Sequence, residues 1–306
     1  MKTIALISND GGLNKRITET IGTRYDVVLM DNINRLFEFC FTVPPDLILL
    51  SYDVLNMKVA EVILTLKSDP LFGHLPILIA TDDVEKLKTL QLRSIIDDYI
   101  LTPFGIEDVA FRIDLGMSRV QKILETNPLT RLPGNITIIK EIQRRLDTGA
   151  IFALSYTDID YFKPFNDRYG FSRGDEVLRM TARLITNVMK MKAPSESFVG
   201  HIGGDDFVFI VPFENLDAVC TDLISNFDEI IQSFYDAEDR EKGLIESHDR
   251  DGVKRTFPFI SLSIGVAHNK YKNFSHYGQV SEIATEMKKY AKRFPGSCYR
   301  MDSRRR

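Results

Sequence analysis

GHIGGDDFVFIVP, residues 200–212, is the stretch from which the fold of the C-terminal part follows. Apolar residues on both sides of Gly203-Gly204 predict two β-strands joined by a tight turn. Glycines in such a turn permit positive φ angles and let a phosphate approach the backbone N–H groups. Asp205 and Asp206 follow at once, so the stretch predicts a hairpin with two carboxylates at its tip. Taken alone, these letters also fit an ordinary acidic hairpin.

A second stretch, TDIDYFKPFNDRYGFSRGDEVL at residues 157–178, supplies a further acid. Residues 151–158 are an apolar run that predicts a strand ending in carboxylates, with Asp158 at its C-terminal edge. Mg²⁺ in proteins takes one or two carboxylates together with substrate phosphates. The two stretches together therefore predict a divalent-cation site beside an anion-binding turn.

The rest of the C-terminal part has the pattern of a mixed α+β domain. Residues 174–190 and 281–293 are amphipathic and predict helices, and residues 259–267 predict another strand. Residues 236–256 are unusually charged, and Asp251-Gly252 lies between two alternating segments. That dipeptide is typical of a two-residue hairpin turn, so we expect a charged hairpin insertion here.

Four motifs appear in order: NPLTRLPGN at 127–135, the stretch at 157–178, GGDDF at 203–207 and ISLSIGVA at 260–267. Together they resemble the GGDEF family of diguanylate cyclases, over residues 127–301. The resemblance implies a domain with a central mixed sheet. It also implies condensation of two GTP molecules into cyclic di-GMP and two pyrophosphates across a dimer of such domains.

The resemblance also implies which residues carry the chemistry. Mg²⁺ or Mn²⁺ would be held by Asp158, Asp205, Asp206 and the backbone carbonyl of Ile159. Asp205, Asp206 and Lys163 would be catalytic, with Asp205 a candidate for accepting the 3′-hydroxyl proton. Substrate binding would fall to Asn166, Asp175, Phe162, Gly203, Gly204 and Lys292.

Asn166 and Asp175 would read the guanine edge, which their chemistry permits. A carboxylate accepts from guanine N1–H and N2–H₂, and an amide donates to N3 or O6. Lys163 and Lys292 would offset charge on the phosphates. The alternative interpretation is that the two lysines are solvated surface charges and that Asn166 and Asp175 cap helices.

The sequence departs from the family pattern at several positions. Asp206 stands where Glu is usual, so its carboxylate is one methylene shorter, and a misplacement of about an ångström can cost around 10²-fold in rate. His201 stands where Arg is usual, and the phosphate-contacting position expected after Gly296 has no Arg. Residues 194–197 lack the RxxD pattern of a product-inhibition site. The alternative function is therefore a weak or inactive module that binds GTP or cyclic di-GMP as a signalling scaffold.

Residues 1–122 alternate short apolar runs with helical patterns, five times. This alternation predicts a flavodoxin-like domain with five parallel strands. The segment resembles a receiver of two-component signalling, but Ser51 stands at the phosphoacceptor position and Thr102 at the position of the usual Lys. Only Asp10 remains of the usual acidic pair. A Ser hydroxyl is a poor phosphoacceptor, so we expect a pseudo-receiver that regulates without phosphorylation.

A helix is predicted over residues 105–126, between the receiver-like domain at 1–122 and the catalytic domain at 127–306. Its apolar stripe includes Ile113, Met117, Val120 and Leu124. This stripe either packs on the domain's own sheet or, in its distal half, pairs with a second copy as a coiled coil. The second reading predicts a homodimer through the receiver-like domain and this helix.

Composition excludes several classes of protein. The 306 residues, of which 44% are apolar and 27% charged, suit a globular protein with two domains. A net charge of −4 and the lack of a helix-turn-helix pattern argue against DNA binding. No apolar run is long enough to span a membrane. Cys40, Cys220 and Cys298 are scattered, which favours reduced thiols in a cytoplasmic protein. The upstream signalling partner is not indicated.

Overall fold

The computed structural model describes residues 1–55, 57–88, 96–248 and 254–304. The chain forms two compact units, Met1–Leu124 and Glu125–Arg306.

The N-terminal unit is a five-stranded parallel sheet with the strand order β2-β1-β3-β4-β5. This is the flavodoxin-like order, so the predicted fold class of this unit is confirmed. A 3₁₀ turn at Tyr52–Val54 follows β3. In chain order its elements are β1 (Lys2–Ile7), α1 (Gly11–Ile21), β2 (Tyr25–Met30), α2 (Ile33–Thr42), β3 (Leu47–Ser51), α3 (Met57–Ser68), β4 (Ile77–Thr81), α4 (Val84–Lys88), β5 (Asp98–Leu101) and α5 (Ile106–Leu124).

Helices on both faces bury this sheet. Every residue of β3 and β4 is buried, which explains why these strands read as continuous apolar runs rather than as alternating patterns. One face packs against α2 and α3, and the other against α1 and α5.

The apolar stripe of α5 was predicted to pack either on the domain's own sheet or against a second copy, and its residues differ in this respect. Ile113 and Met117 are buried in the unit's own core with residues of α1 and β3. They therefore cannot belong to a seam between two copies, and for these two residues the coiled-coil reading is wrong. Val120 is half-buried, and Leu124 is 57% exposed.

The C-terminal unit contains a mixed sheet of order β12-β11-β6-β8-β7, in which only the β11–β12 pair is parallel. This agrees with the predicted mixed sheet. Short 3₁₀ turns lie at Phe213–Asn215 and Gln232–Phe234. Its elements are α6 (Asn135–Asp147), β6 (Phe152–Asp160), α7 (Phe162–Tyr169), α8 (Phe171–Lys192), β7 (Phe198–Gly203), β8 (Asp206–Pro212), α9 (Leu216–Ile231), α10 (Ala237–Lys242), β9 (Ile245–His248), β10 (Lys254–Phe257), β11 (Ser261–His268), α11 (Tyr277–Ala291) and β12 (Cys298–Met301).

Alternation along the central strand decides where its acids lie. Phe152 and Leu154 of β6 pack with α6 and α11, whereas Ala153 and Ile159 pack with α8 and α9 on the other face. Because successive side chains point to opposite faces, Asp158 shares the face of α11. The fold thus places a carboxylate under a helix rather than in solvent.

The charged segment at 236–256 begins with α10 and continues into the two-stranded antiparallel sheet of β9 and β10. The Asp251-Gly252 turn predicted from sequence lies outside the described residues. Asp239 fastens α10 to the domain, because its buried carboxylate accepts hydrogen bonds from Arg168 and from the Tyr169 hydroxyl.

Within the described part of the chain, no helix combines the length and the apolar character that crossing a membrane requires.

Candidate active site

Three carboxylates meet at one end of the central sheet. Oxygens of Asp158, Asp205 and Asp206 all lie within 4.8 Å of one another. Asp158 on β6 is directly opposite Asp206 on β8 in the antiparallel ladder, so strand register brings these two together. Asp205 belongs to the turn that precedes β8. We call these three residues the acid cluster.

The turn between β7 and β8 has a backbone that favours glycine. Gly203 has φ of 153° and Gly204 φ of 58°, both in the positive range that residues with a Cβ rarely adopt. The ladder is irregular between His201 and Gly203, where a bulge interrupts the register. The two glycines therefore permit the tight hairpin that was predicted from their spacing.

Two lysines of the α11 region neutralise part of the acid cluster. Lys288 Nζ donates to Asp206 Oδ1 and lies 3.4 Å from Asp158 Oδ2. Lys292 Nζ lies 2.5 Å from Asp158 Oδ1, but not in hydrogen-bonding geometry. Residues four apart on a helix share a face, so both ammonium groups reach the same acids. Lys292 was predicted from the sequence, whereas Lys288 was missed. Its spacing of four residues from Lys292 on a predicted helix was the pattern that could have indicated it.

Close packing of α11 on the sheet positions Lys288. A Cβ placed on Gly265 of β11 would lie 1.9 Å from the backbone nitrogen of Lys288 and 2.4 Å from the Ala284 carbonyl oxygen. Only glycine leaves room for the helix backbone at this distance. The absence of a side chain at Gly265 thus lets Lys288 lie over the acids.

Burial and like charge shift the pKa values of the groups here. Burial, and then the charges of Asp158 and Asp206, raises the pKa of Asp205. Burial also raises the pKa of Asp160, although that carboxylate accepts a 2.5 Å hydrogen bond from Ser263. For Lys288, burial opposes the charged form, but the hydrogen bond to Asp206 and the nearby acids outweigh it, and its pKa is raised.

The acid cluster fits a divalent cation. Asp158 Oδ1 is buried and, apart from its ion pair with Lys292, accepts no hydrogen bond among the described residues, whereas buried carboxylate oxygens usually accept hydrogen bonds. Asp205 is held close to two like charges. A set of carboxylates is the donor set that Mg²⁺ and Mn²⁺ prefer. Ile159, whose carbonyl was predicted as a further ligand, is buried and pairs with Leu262 of β11.

The side chain of His201 supports the glycine turn. Its buried ring lies 4.2 Å from the ring of Phe207 in a stacked arrangement, and its Nε2 is 3.0 Å from the Gly204 carbonyl oxygen. Since a carbonyl only accepts, Nε2 carries the proton, and Nδ1 accepts from the Thr130 hydroxyl at 3.0 Å. Burial lowers the pKa of His201. The sequence had marked this residue only as a departure from the family pattern.

The two residues predicted to read guanine lie near one another. Asn166 is on α7, and a Cβ on Gly174 would lie 1.9 Å from its Oδ1. Gly174 directly precedes Asp175 on α8, whose carboxylate is 3.7 Å from Arg179. Asn166 Oδ1 is buried and accepts no hydrogen bond among the described residues. The amide therefore retains hydrogen-bonding capacity for a ligand.

Two other predicted residues lie at the start of α7. Tyr161 has a left-handed backbone with φ of 58°, and it turns the chain from β6 into the helix. Phe162 is buried in the core of the unit, whereas Lys163 is exposed. Lys163 forms no ion pair with any residue that the structure describes. An exposed lysine at this position remains available to a phosphate.

Comparison with known proteins assigns this unit to a family. Residues 125–295, more than half of the chain, match the profile of "Diguanylate cyclase, GGDEF domain". The chain belongs to the GGDEF family. The family resemblance predicted from the four motifs is thereby confirmed, and the relatives named below do not favour the scaffold alternative.

Curated relatives match parts of the chain. The diguanylate cyclase DgcP of Pseudomonas aeruginosa is 34% identical over 102 residues, covering 32% of this chain and 14% of that protein. The diguanylate cyclase DosC of Escherichia coli is 26% identical over 206 residues, covering 67% of this chain and 39% of that protein. The response regulator PleD of Caulobacter vibrioides is 25% identical over 188 residues, covering 55% and 40%. The chain thus spans two fifths or less of the length of these relatives.

Among solved structures, the GGDEF domain of DgcB from Caulobacter crescentus, in complex with cyclic di-GMP, is 27% identical. The match covers 58% of this chain and 94% of the DgcB chain, with a TM-score of 0.42.

Proposed function

We propose that two copies of residues 125–306 face each other and condense two GTP molecules into cyclic di-GMP, releasing two pyrophosphates. The observation that carries this proposal is the acid cluster of Asp158, Asp205 and Asp206 beside the glycine turn, within a GGDEF domain. The proposal also includes Mg²⁺ or Mn²⁺ as the metal.

The residues of this chain would divide the work as follows. Asn166 and Asp175 orient the guanine, and the exposed Lys163 together with Lys292 offsets the negative charge of the phosphates. The backbone N–H groups of Gly203 and Gly204 would donate hydrogen bonds to a phosphate. A divalent cation bound by the acid cluster would supply charge neutralisation for the reacting phosphate and the departing pyrophosphate.

Asp205 is the candidate for removing the proton of the 3′-hydroxyl. Its raised pKa makes its carboxylate a stronger base than an ordinary Asp. Asp205 also carries no ion pair or hydrogen bond from another side chain among the described residues, unlike Asp158 and Asp206.

Two copies are required because each unit offers one set of these residues. Forming two 3′–5′ linkages needs each 3′-hydroxyl to reach the α-phosphate of the opposite nucleotide, at about 3–3.5 Å. We further propose that dimerisation through the N-terminal unit and the end of α5 raises the effective concentration of one catalytic domain against the other.

The N-terminal unit would act as a regulator that is not phosphorylated. Ser51 is buried at the end of β3. The carboxylate of Asp10 already accepts from the backbone N–H groups of Gly12 and Leu13, at 2.8 and 3.1 Å, as the N-cap of α1. The remaining acid is therefore engaged in a helix cap, which supports a pseudo-receiver.

The test is direct. Purified protein is incubated with GTP and Mg²⁺ or Mn²⁺, and the products are separated by chromatography and weighed by mass spectrometry. We expect cyclic di-GMP and pyrophosphate at a 1:2 ratio. Binding of GTP without any product would refute the cyclase and leave the scaffold.

A further inference from the structure

We infer that Lys288 is a built-in counter-ion that occupies part of the divalent-cation site, so that a metal ion binds only by displacing its ammonium group from Asp158 and Asp206. This inference deepens the proposed function and rests on its metal site. It assigns to Lys288 a role in setting metal affinity, as a positioning residue for the acid cluster.

The first step is the overlap of partners. The ammonium group of Lys288 donates to Asp206 and lies 3.4 Å from Asp158, and these are two of the three candidate metal ligands. A lysine ammonium is a compact charge with three donors and no acceptor. It satisfies the same oxygens that a cation would use, and it would repel a divalent ion placed among them.

The second step is that the backbone of Lys288 packs closely against the sheet. Its nitrogen lies against Gly265 at a distance that no Cβ could tolerate, and its side chain is only 14% exposed. Lys292, at the end of α11, is 41% exposed, so its side chain is in contact with solvent. The two lysines therefore differ: Lys292 is the more exposed of the two, whereas Lys288, held by close backbone packing, would leave the acid cluster by side-chain rotation.

The third step is charge. Three carboxylates face two ammonium groups, so the acid cluster with its lysines carries one uncompensated negative charge. Without Lys288 two negative charges remain, which matches the charge of a divalent cation. Lys288 thus stabilises the metal-free domain and opposes metal binding.

The experiment measures binding of Mn²⁺ alone, without nucleotide, by calorimetry and by the electron paramagnetic resonance of free Mn²⁺. Lys288→Met removes the charge and keeps the chain length. The matched control is Lys289→Met, the next residue of α11, which is exposed. We expect Lys288→Met to bind Mn²⁺ about tenfold more tightly than the unaltered protein, because one repulsive unit charge is removed at short range, and Lys289→Met to bind it equally.

Thermal unfolding gives a second readout. Without metal, Lys288→Met should unfold at a lower temperature than the unaltered protein, and Mn²⁺ should raise its midpoint more than it raises that of the unaltered protein. If Lys288→Met does not fold, Lys288→Gln replaces it, since an amide still donates to Asp206. Unchanged or weaker Mn²⁺ binding in the folded variant would overturn the inference.

The outcomes separate this inference from the proposed function. If Lys288→Met binds Mn²⁺ more tightly and the unaltered protein makes no cyclic di-GMP, the inference is supported and the cyclase is refuted. Cyclic di-GMP synthesis with unchanged Mn²⁺ affinity in Lys288→Met would leave the cyclase standing and refute the inference.

Discussion

Asp158 on β6 lies directly opposite Asp206 on β8, and both contact the ammonium group of Lys288. Like charges directly opposite in a ladder are destabilising. A cation bound at this end of the sheet can compensate for the repulsion between the two carboxylates. This relationship makes the acid cluster a site at which stability, metal binding and catalysis can be measured against one another.

Asp158→Asn tests the metal site. Removing this charge should lower cyclic di-GMP formation by about 10²–10³-fold, since a group that stabilises charge in a transition state contributes on this scale. Mn²⁺ binding without nucleotide should weaken in parallel. Asp167→Asn, an exposed acid on α7, is the control and should change neither. Undiminished Mn²⁺ affinity in Asp158→Asn would remove the assignment.

Asp205→Asn should stabilise the metal-free protein. Folding raises the pKa of Asp205 above its ordinary value of 3.8, so the charged carboxylate disfavours the folded state at pH values above the folded pKa. This penalty decreases as the pH falls through the folded-state pKa of Asp205. It is absent below pH 3.8, where Asp205 is protonated in both the folded and the unfolded state. We expect a higher unfolding midpoint at pH 7 for Asp205→Asn than for the unaltered protein, and no difference between the two below pH 3.8.

Thermal scans from pH 3 to 8 in the presence of a chelator would follow this difference. Turnover of Asp205→Asn should be lost over the whole range. A variant that is less stable than the unaltered protein at pH 7 would show that Asp205 is not electrostatically strained.

His201→Ala should loosen the glycine turn. The change removes the donor to the Gly204 carbonyl and the acceptor for the Thr130 hydroxyl, and each such hydrogen bond contributes about 0.5–1.5 kcal/mol. Denaturant unfolding would measure the loss of stability, and turnover should fall as the turn loses its support. His74→Ala, at an exposed position of the N-terminal unit, should have no effect. Equal stability of the two variants would contradict the supporting role.

Leu124→Glu tests dimerisation through the end of α5. If this exposed residue lies between two copies, a pair of facing carboxylates should weaken self-association and turnover together, while binding of one GTP per chain is unchanged. Sedimentation, circular dichroism and GTP titration on the same samples would establish this. Ile113→Glu is the contrasting variant, because its buried side chain predicts unfolding of the N-terminal unit instead. A monomeric Leu124→Glu variant with full activity would sink the proposal.

Phosphodonors should not act on the N-terminal unit. With Ser51 at the phosphoacceptor position and Asp10 engaged as a helix cap, beryllofluoride and acetyl phosphate should change neither turnover nor self-association. Asp10→Ala should instead lower the stability of this unit by about 1 kcal/mol, as the loss of an N-cap does. Stoichiometric acid-labile phosphate on Asp10, or on Asp53 in the 3₁₀ turn that follows β3, would show that the unit is a working receiver.

Some features of this protein were determined by local sequence alone. Short apolar runs such as LILLS at residues 47–51, alternating with helical patterns, predicted the parallel strands. Burial of the sheet on both faces explains why these runs are continuous. The glycines at 203 and 204 predicted the hairpin, and the motif order predicted the family. Each of these signals is carried by neighbouring residues, whose spacing matches the period of the element they form.

Other features were decided only by tertiary structure. Lys288 lies more than 80 residues from Asp206 in the chain, and its contact with that acid depends on the register of β6 with β8 and on the space that Gly265 leaves beneath α11. The partner of the α5 stripe was likewise undetermined, since an apolar side chain packs equally well on its own sheet or on a second copy. Sequence periodicity shows which face of an element is apolar. Which charged or apolar groups meet across elements is set by strand register and interhelical distance, and these arise from the packing of the whole domain.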